Sequence, residues 1–229
     1  MPARRRSGAS PATGAAATIL LTGFEPFGGE TVNPSWLIAS ALDGETVDGA
    51  RVRALRLPTE FRRSASVLRA ALRRRTPSLV VALGQAGGRA ALSIERVAIN
   101  VDDARIPDNA GARPIDAPVV RGGPAAHFST LPVKAIAAAL QARGIPAEVS
   151  QTAGTFVCNH VFYVLQHALA GRRVRSGFVH VPYLPEQAAA RPGAPGLPLD
   201  TMVDGVREVL RVAAAHRGPD LRASGGAID

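Results

Sequence analysis

The chain has 229 residues, a formal net charge of +9, 46% hydrophobic and 20% charged residues; this supplies one ordinary domain with a sizeable core and excludes wholesale disorder. A single cysteine excludes an intramolecular disulfide and a cysteine-rich zinc module and points to a reducing, cytoplasmic setting. No apolar run approaches the roughly 18–20 residues of a membrane helix, and Lys134 is the only lysine among 27 basic residues, which reads as coding bias before it reads as function.

Residues 1–17 read as a disordered extension. Arg4, Arg5 and Arg6 precede the apolar stretch Ala15–Leu21, but that stretch is short, begins with small residues and lacks a cleavage box, so a signal peptide is set aside. In chain order, Thr18–Thr22 reads as a strand, Trp36–Leu42 as a helix, Arg51–Leu57 as a strand and Glu60–Arg75 as a helix. Leu79–Leu83 follows as a strand, Val133–Arg143 as a helix, Ala147–Gln151 as a strand, Val161–Ala170 as a helix, Gly177–Val181 as a strand and Leu199–Ala215 as a helix. Residues 216–229 lack a periodic apolar face and read as a frayed tail. Continuous apolar strands separated by helices predict one α/β domain over residues 18–215, its sheet buried on both faces and its chemistry on loops at the carboxyl ends of strands. Arg62, Arg63, Arg69, Arg73, Arg74 and Arg75 fall in one helix. They read as a solvated face rather than a nucleic-acid groove, because only Phe61 interleaves with them.

Two glycine-rich loops follow apolar strands, Thr22–Gly29 and Gly84–Gly88. Neither has the Gly-Lys-Ser/Thr ending of a P-loop or the dinucleotide spacing. In the first, Phe24 and Phe27 flank Pro26; they either fold into the core or wall a small apolar slot that orients a compact ligand.

Cys158 precedes Val161, Val164, Leu165 and Ala168, which recur at helical spacing. Thr155 as helix cap would put Cys158 in the first turn, where the helix dipole and free N–H groups favour a thiolate; the alternative is a small buried hydrophobe. Of the five histidines, His180 sits near a strand's carboxyl end and suits a catalytic base better than His167 on a helix or His216 in the tail. His160 is only two residues from the cysteine and points elsewhere around a helix. Glu95, an acid in an apolar neighbourhood, needs a partner: a histidine, or Arg96 in a surface salt bridge. No set of residues shows metal-ligand spacing, so no metal is expected. These residues outline cysteine-type acyl transfer without naming a substrate.

Five stretches resemble one family, pyroglutamyl peptidase I, also called pyrrolidone-carboxylate peptidase. They are TGFEPFGG followed by NPSW (Thr22–Trp36), ALGQAGG (Ala82–Gly88), ERVAIN through DDARIPDN and its glycine (Glu95–Gly111), AGTFVCNHVFY (Ala153–Tyr163) and GFVHVPYLPEQ (Gly177–Gln187). The resemblance runs from about Ile19 to Val212. It implies a single α/β/α sandwich with a twisted mixed sheet, similar to nucleoside phosphorylases, often assembled as a dimer or tetramer. It implies a cysteine exopeptidase that removes N-terminal pyroglutamate from peptides without metal or organic cofactor. By motif, Cys158 matches the family's nucleophile, His180 its histidine, Glu95 its acid and Arg105 an arginine near the active site. Phe24, Phe27, Gln85, Ile106, Phe156 and Val157 match pocket positions. Two rivals remain at this point: a nucleoside phosphorylase, which would need a phosphate site and no essential thiol, and a basic binding protein that uses its arginine-rich helix for nucleic acid.

Overall fold

Alternation along the strands sorts the apolar side chains onto two faces of one sheet. The computed structural model describes residues 17–226. In chain order it contains β1 (Thr18–Phe24), α1 (Pro34–Ala41), β2 (Thr46–Val47), β3 (Ala50–Leu57), α2 (Phe61–Arg74), β4 (Leu79–Gln85), β5 (Leu92–Glu95), β6 (Val97–Ile99) and β7 (Ala126–Phe128). Then come α3 (Val133–Ala142), β8 (Ala147–Ser150), α4 (Val157–Leu169), β9 (Arg175–Val181), α5 (Pro185–Ala189) and α6 (Leu199–Ala215). Seven strands form a mixed sheet in the order β2-β3-β1-β4-β9-β5-β8, and β6 pairs with β7 separately. Leu79, Val81 and Leu83 of β4 join a core with Ile38 of α1, Ile136 of α3 and Val206 of α6. The alternate residues Val80 and Ala82 join a second core with Leu68 of α2 and Val161 of α4. Helices therefore cover both faces, which is why the central strands read as unbroken apolar runs. Each fully buried Leu or Val contributes about 1.5–3 kcal/mol.

Two local devices set the loops at the carboxyl ends of the strands. Asn33 caps α1, accepting from Ser35 N at 3.1 Å, with Pro34 at the first helical position. Its side-chain amide donates to Glu25 O at 3.0 Å, and Thr59 Oγ1 donates to the same carbonyl at 2.9 Å, so the loop after β1 is tied at its root. A Cβ at Gly23 would lie 2.4 Å from Ser35 O; glycine alone lets α1 approach β1 this closely.

The expected elements all form, with shifted ends. The strands β2, β5, β6 and β7 and the short helix α5 were not anticipated; they hold two to five residues each, too few to show a period. Helix α4 starts at Val157, four residues before its first expected periodic residue, and Thr155 does not cap it. The Thr155 hydroxyl donates instead to Asp103 O at 2.7 Å. The extension expected at residues 1–17 lies outside the described residues except for Ala17. In the segment read as a tail, Asp220 accepts from Lys134 N and Ala135 N at 2.9 and 3.0 Å, capping α3. Arg62, Arg63, Arg69, Arg73 and Arg74 are exposed while Phe61, Ser64, Ala65, Leu68 and Leu72 are buried, the two faces of an amphipathic helix. Among the described residues no helix is long and apolar enough to cross a membrane.

Candidate active site

Strand register brings the cysteine, one histidine and one acid to the α4 side of the sheet. In the parallel pair of β4 and β9, Gly84 lies opposite His180. The first turn of α4 sits over this point: a Cβ at Gly84 would come within 2.7 Å of Cys158 Sγ and 2.7 Å of Phe178 Cζ. In the antiparallel pair of β5 and β9, Glu95 lies opposite Phe178, two residues from His180. Such diagonal neighbours share a face and are within reach of long side chains. His180 Nδ1 and Glu95 Oε1 meet at 2.7 Å, both residues buried. Arg89, on the loop after β4, donates through Nη1 to the same Oε1 at 2.7 Å. Glu95 therefore pairs with His180 and Arg89 and not with Arg96, which reaches Gly225 O.

The first turn of α4 is pinned from the other side. Asn159 donates to Ile99 O and Val101 O, both at 2.9 Å, and accepts from Ile99 N at 3.0 Å. His160 Nδ1 meets Asp102 Oδ2 at 2.8 Å, so His160 is paired on a different acid from His180. His127 and His167 face each other at 3.2 Å, and His216 meets Pro219 O. The N–H groups of Val157, Cys158 and Asn159 open the helix and have no acceptor within it.

Cys158 is half-buried and makes no hydrogen bond among the described residues. Desolvation pushes its thiol up to about 12, the Glu95 carboxylate adds to the rise and the Arg89 guanidinium opposes it. The direction is opposite to the lowering expected from a helix start, and desolvation of the sulfur is its largest cause.

Beside the sulfur, Phe24, Phe27, Gln85, Phe156 and Val157 line one small cavity together with Asn33, Thr59 and Cys158. Both readings of the first glycine-rich loop hold in part, since Phe24 is buried in the core while Phe27 is half-buried with its ring 6.0 Å from that of Phe156. Ile106 does not line the cavity; it is 44% exposed and its Cδ1 lies 3.9 Å from where a Cβ on Gly28 would stand. Arg105 is also exposed. Sequence reasoning missed Arg89, Asn33 and Thr59. Asn33 carried a usable signal, the helix-starting run Asn-Pro-Ser; Arg89 and Thr59 carried none. Among the described residues no group of three or more His, Cys, Asp and Glu side chains could hold a metal.

A layered α/β/α fold with a thiol at a helix start and a buried histidine–carboxylate pair on the same side of the sheet is an arrangement that thiol hydrolases use. The family profile described as Pyroglutamyl peptidase matches residues 17–216. The pyrrolidone-carboxylate peptidase of Erwinia tasmaniensis is 57% identical over 209 residues, covering 91% of this chain and 98% of that protein. The Klebsiella pneumoniae pyrrolidone-carboxylate peptidase is 58% identical, covering 92% and 99%. The crystal structure of pyroglutamyl peptidase I from Bacillus amyloliquefaciens superposes with a TM-score of 0.87 at 44% identity, covering 92% of this chain and all of that one. The chain belongs to the pyroglutamyl peptidase family.

Proposed function

We propose that this chain is a cysteine exopeptidase that removes pyroglutamate from the N-terminus of peptides, with Cys158 as nucleophile, His180 as proton carrier and Glu95 as the acid that orients it. The observation that carries the reading is the contact of His180 with Glu95 at 2.7 Å beneath a thiol packed on Gly84, the residue paired with His180. With Glu95 accepting from Nδ1–H, Nε2 is the nitrogen left to take a proton. His180 acts as general base, taking the thiol proton as sulfur attacks. Sulfur bonds to the pyroglutamyl carbonyl carbon, His180 passes the proton to the departing amine as the amide C–N bond breaks, and a water activated by His180 hydrolyses the thioester. The free N–H groups of the α4 first turn are the donors for the tetrahedral oxyanion. Arg105 is a further donor in this proposal; its segment is held to the Cys158 loop by Asp103 N to Thr155 O at 2.9 Å and by Thr155 Oγ1 to Asp103 O at 2.7 Å.

The slot supports a compact lactam. Gln85 Oε1 accepts from Gln187 Nε2 at 3.2 Å, which leaves the Gln85 amide N–H groups for the lactam carbonyl. In the free chain the cavity holds about 10 Å³, about the space of one water, so the ring enters by displacing Phe27. Gly28 and Gly29, at φ 62° and 83°, give that loop a backbone that other residues rarely adopt. Ile106, next to Gly28, meets the substrate only as this loop moves. A prolyl substrate leaves the lactam donors unpaired, which discriminates by roughly 10⁴-fold; an N-terminal glutamate would have to be desolvated in the slot at several kcal/mol.

The test compares pyroglutamyl-, prolyl- and glutamyl-p-nitroanilide under reducing conditions. Release of nitroaniline from the first alone is expected, and equal turnover of the prolyl compound would sink the reading. Assembly as a homodimer or homotetramer is part of the proposal, supported by the exposure of Ile115 (73%) and Phe128 (70%) and checked by sedimentation equilibrium. A cytoplasmic setting is supported by the unpaired thiol the chemistry needs. No role for nucleic acid is proposed, because the arginines of α2 form the solvated face of an amphipathic helix.

A further inference from the structure

Glu95 offers two oxygens, and the structure uses only one. His180 Nδ1 and Arg89 Nη1 both meet Oε1, each at 2.7 Å, while Oε2 is buried with no hydrogen-bond partner among the described residues. Arg89 does more than neutralise this acid. Its Nη1 lies 3.3 Å from Ser150 Oγ at the end of β8, and its Nη2 donates to Thr152 O at 2.9 Å. Thr152 belongs to the segment that leads from β8 into the first turn of α4, where Cys158 sits. One guanidinium thus spans the acid on β5 and the chain that delivers the nucleophile. It is anchored on the loop that follows β4, whose last two residues are Gly84, packed against the sulfur, and Gln85, which lines the slot. The Arg89 side chain is 26% exposed and the Glu95 side chain fully buried, so the pair lies where solvent screens it little.

We propose that Arg89 is a positioning residue for the peptidase reaction: it locks Glu95 and the Cys158-bearing segment into one frame and supplies the positive charge that offsets Glu95 at the thiol. The proposal rests on the assignment of Cys158, His180 and Glu95 made above. A planar guanidinium suits the task because its fixed fork serves a carboxylate and a carbonyl at once, which a lysine ammonium cannot reproduce. Two charged groups act on the Cys158 thiol, Glu95 from β5 and Arg89 from the loop after β4, and His180 of β9 is bonded to the first. Glu95 raises the thiol and Arg89 lowers it. Removing Arg89 therefore leaves the thiol facing an unopposed carboxylate, and the fraction of thiolate at a given pH falls.

Cys158 is the only cysteine, so its alkylation by iodoacetamide reads the thiolate directly, without turnover. For Arg89→Gln, the alkylation rate at pH 8 is expected to fall about tenfold, one pKa unit's worth, and kcat to fall more than KM rises. Arg89→Lys keeps the charge and should alkylate within about twofold of wild type while still losing kcat. The double variant Arg89→Gln/Glu95→Gln removes both charges and should return alkylation to within about threefold of wild type. It also keeps the test alive if Arg89→Gln alone does not fold. A structural role alone would loosen the segment and speed alkylation, so an unchanged or faster rate in folded Arg89→Gln overturns the proposal. Failure of wild type to cleave pyroglutamyl-p-nitroanilide would instead overturn the peptidase reading and leave the alkylation result standing.

Discussion

Two buried histidine–carboxylate pairs flank the same cysteine, and they are nearly equal in geometry. His180 meets Glu95 at 2.7 Å and His160 meets Asp102 at 2.8 Å. Their surroundings differ. Glu95 has a cation beside it and lies on a strand paired with the one that carries His180. Asp102 has no cation in contact, its second oxygen and His160 Nε2 have no hydrogen-bond partner among the described residues, and the pair ties α4 to the irregular chain around Ala117. Phe61 closes over His160 edge-on, ring centroids 5.6 Å apart. The lesson is that a histidine and an acid at hydrogen-bonding distance do not define a catalytic pair. Strand register sets His180 opposite Gly84, the residue on which the sulfur packs, and on the proposed assignment the histidine nearer in sequence, His160, is not the cysteine's partner.

The comparison is most exposed where the effects are largest. His180→Ala should lower kcat/KM by about 10³–10⁴-fold with the fold intact by circular dichroism. His160→Gln should keep kcat within about tenfold while lowering the midpoint of thermal unfolding, since breaking a buried pair costs about 3–5 kcal/mol. Equal loss of kcat in the two variants would erase the distinction. Gly84→Ala sharpens it from the sheet side: a Cβ 2.7 Å from Sγ displaces the sulfur from His180, and about 10²-fold in kcat should go with little change in His160-dependent stability. Asp102→Asn keeps shape and a hydrogen bond, so only about 1–2 kcal/mol of stability should be lost, read by urea unfolding with activity nearly unchanged. The smallest effect is on pH. A folded thiol at about 12 against an ordinary unfolded value near ~8.5 contributes stability that is full below the unfolded value. That contribution is lost as pH rises from there toward the folded value. Cys158→Ala should therefore show a shallower alkaline fall in stability than wild type, and identical profiles would contradict the raised thiol.

Much of this arrangement was legible from the chain alone. The apolar runs of β1 and β4 gave away a sheet covered on both faces, and His180 near a strand end stood out from the other four histidines. The helix after Cys158 was readable from its apolar spacing, and the first-turn place of Cys158 holds although Thr155, the cap it was read from, does not cap the helix. What stayed hidden depends on contacts distant in sequence. Strand β5, LSIE, pairs with β9 and β8, both distant in sequence, so its antiparallel placement beside β9 could not be read, and with it went the reason Glu95 reaches His180. Arg89 follows a glycine-rich loop and looks like one more arginine in an arginine-rich chain; only the folded β5 and β8 ends give it partners. A helix start is visible in sequence, while the packing that desolvates the sulfur and raises its thiol is not.

The most direct test of the central claim is turnover of pyroglutamyl-p-nitroanilide in reductant by wild type, Cys158→Ala and His160→Gln side by side. Turnover in wild type and His160→Gln and none in Cys158→Ala is the expected result. Persistent turnover in Cys158→Ala, or its loss in a folded His160→Gln, would contradict the assignment of nucleophile and partner.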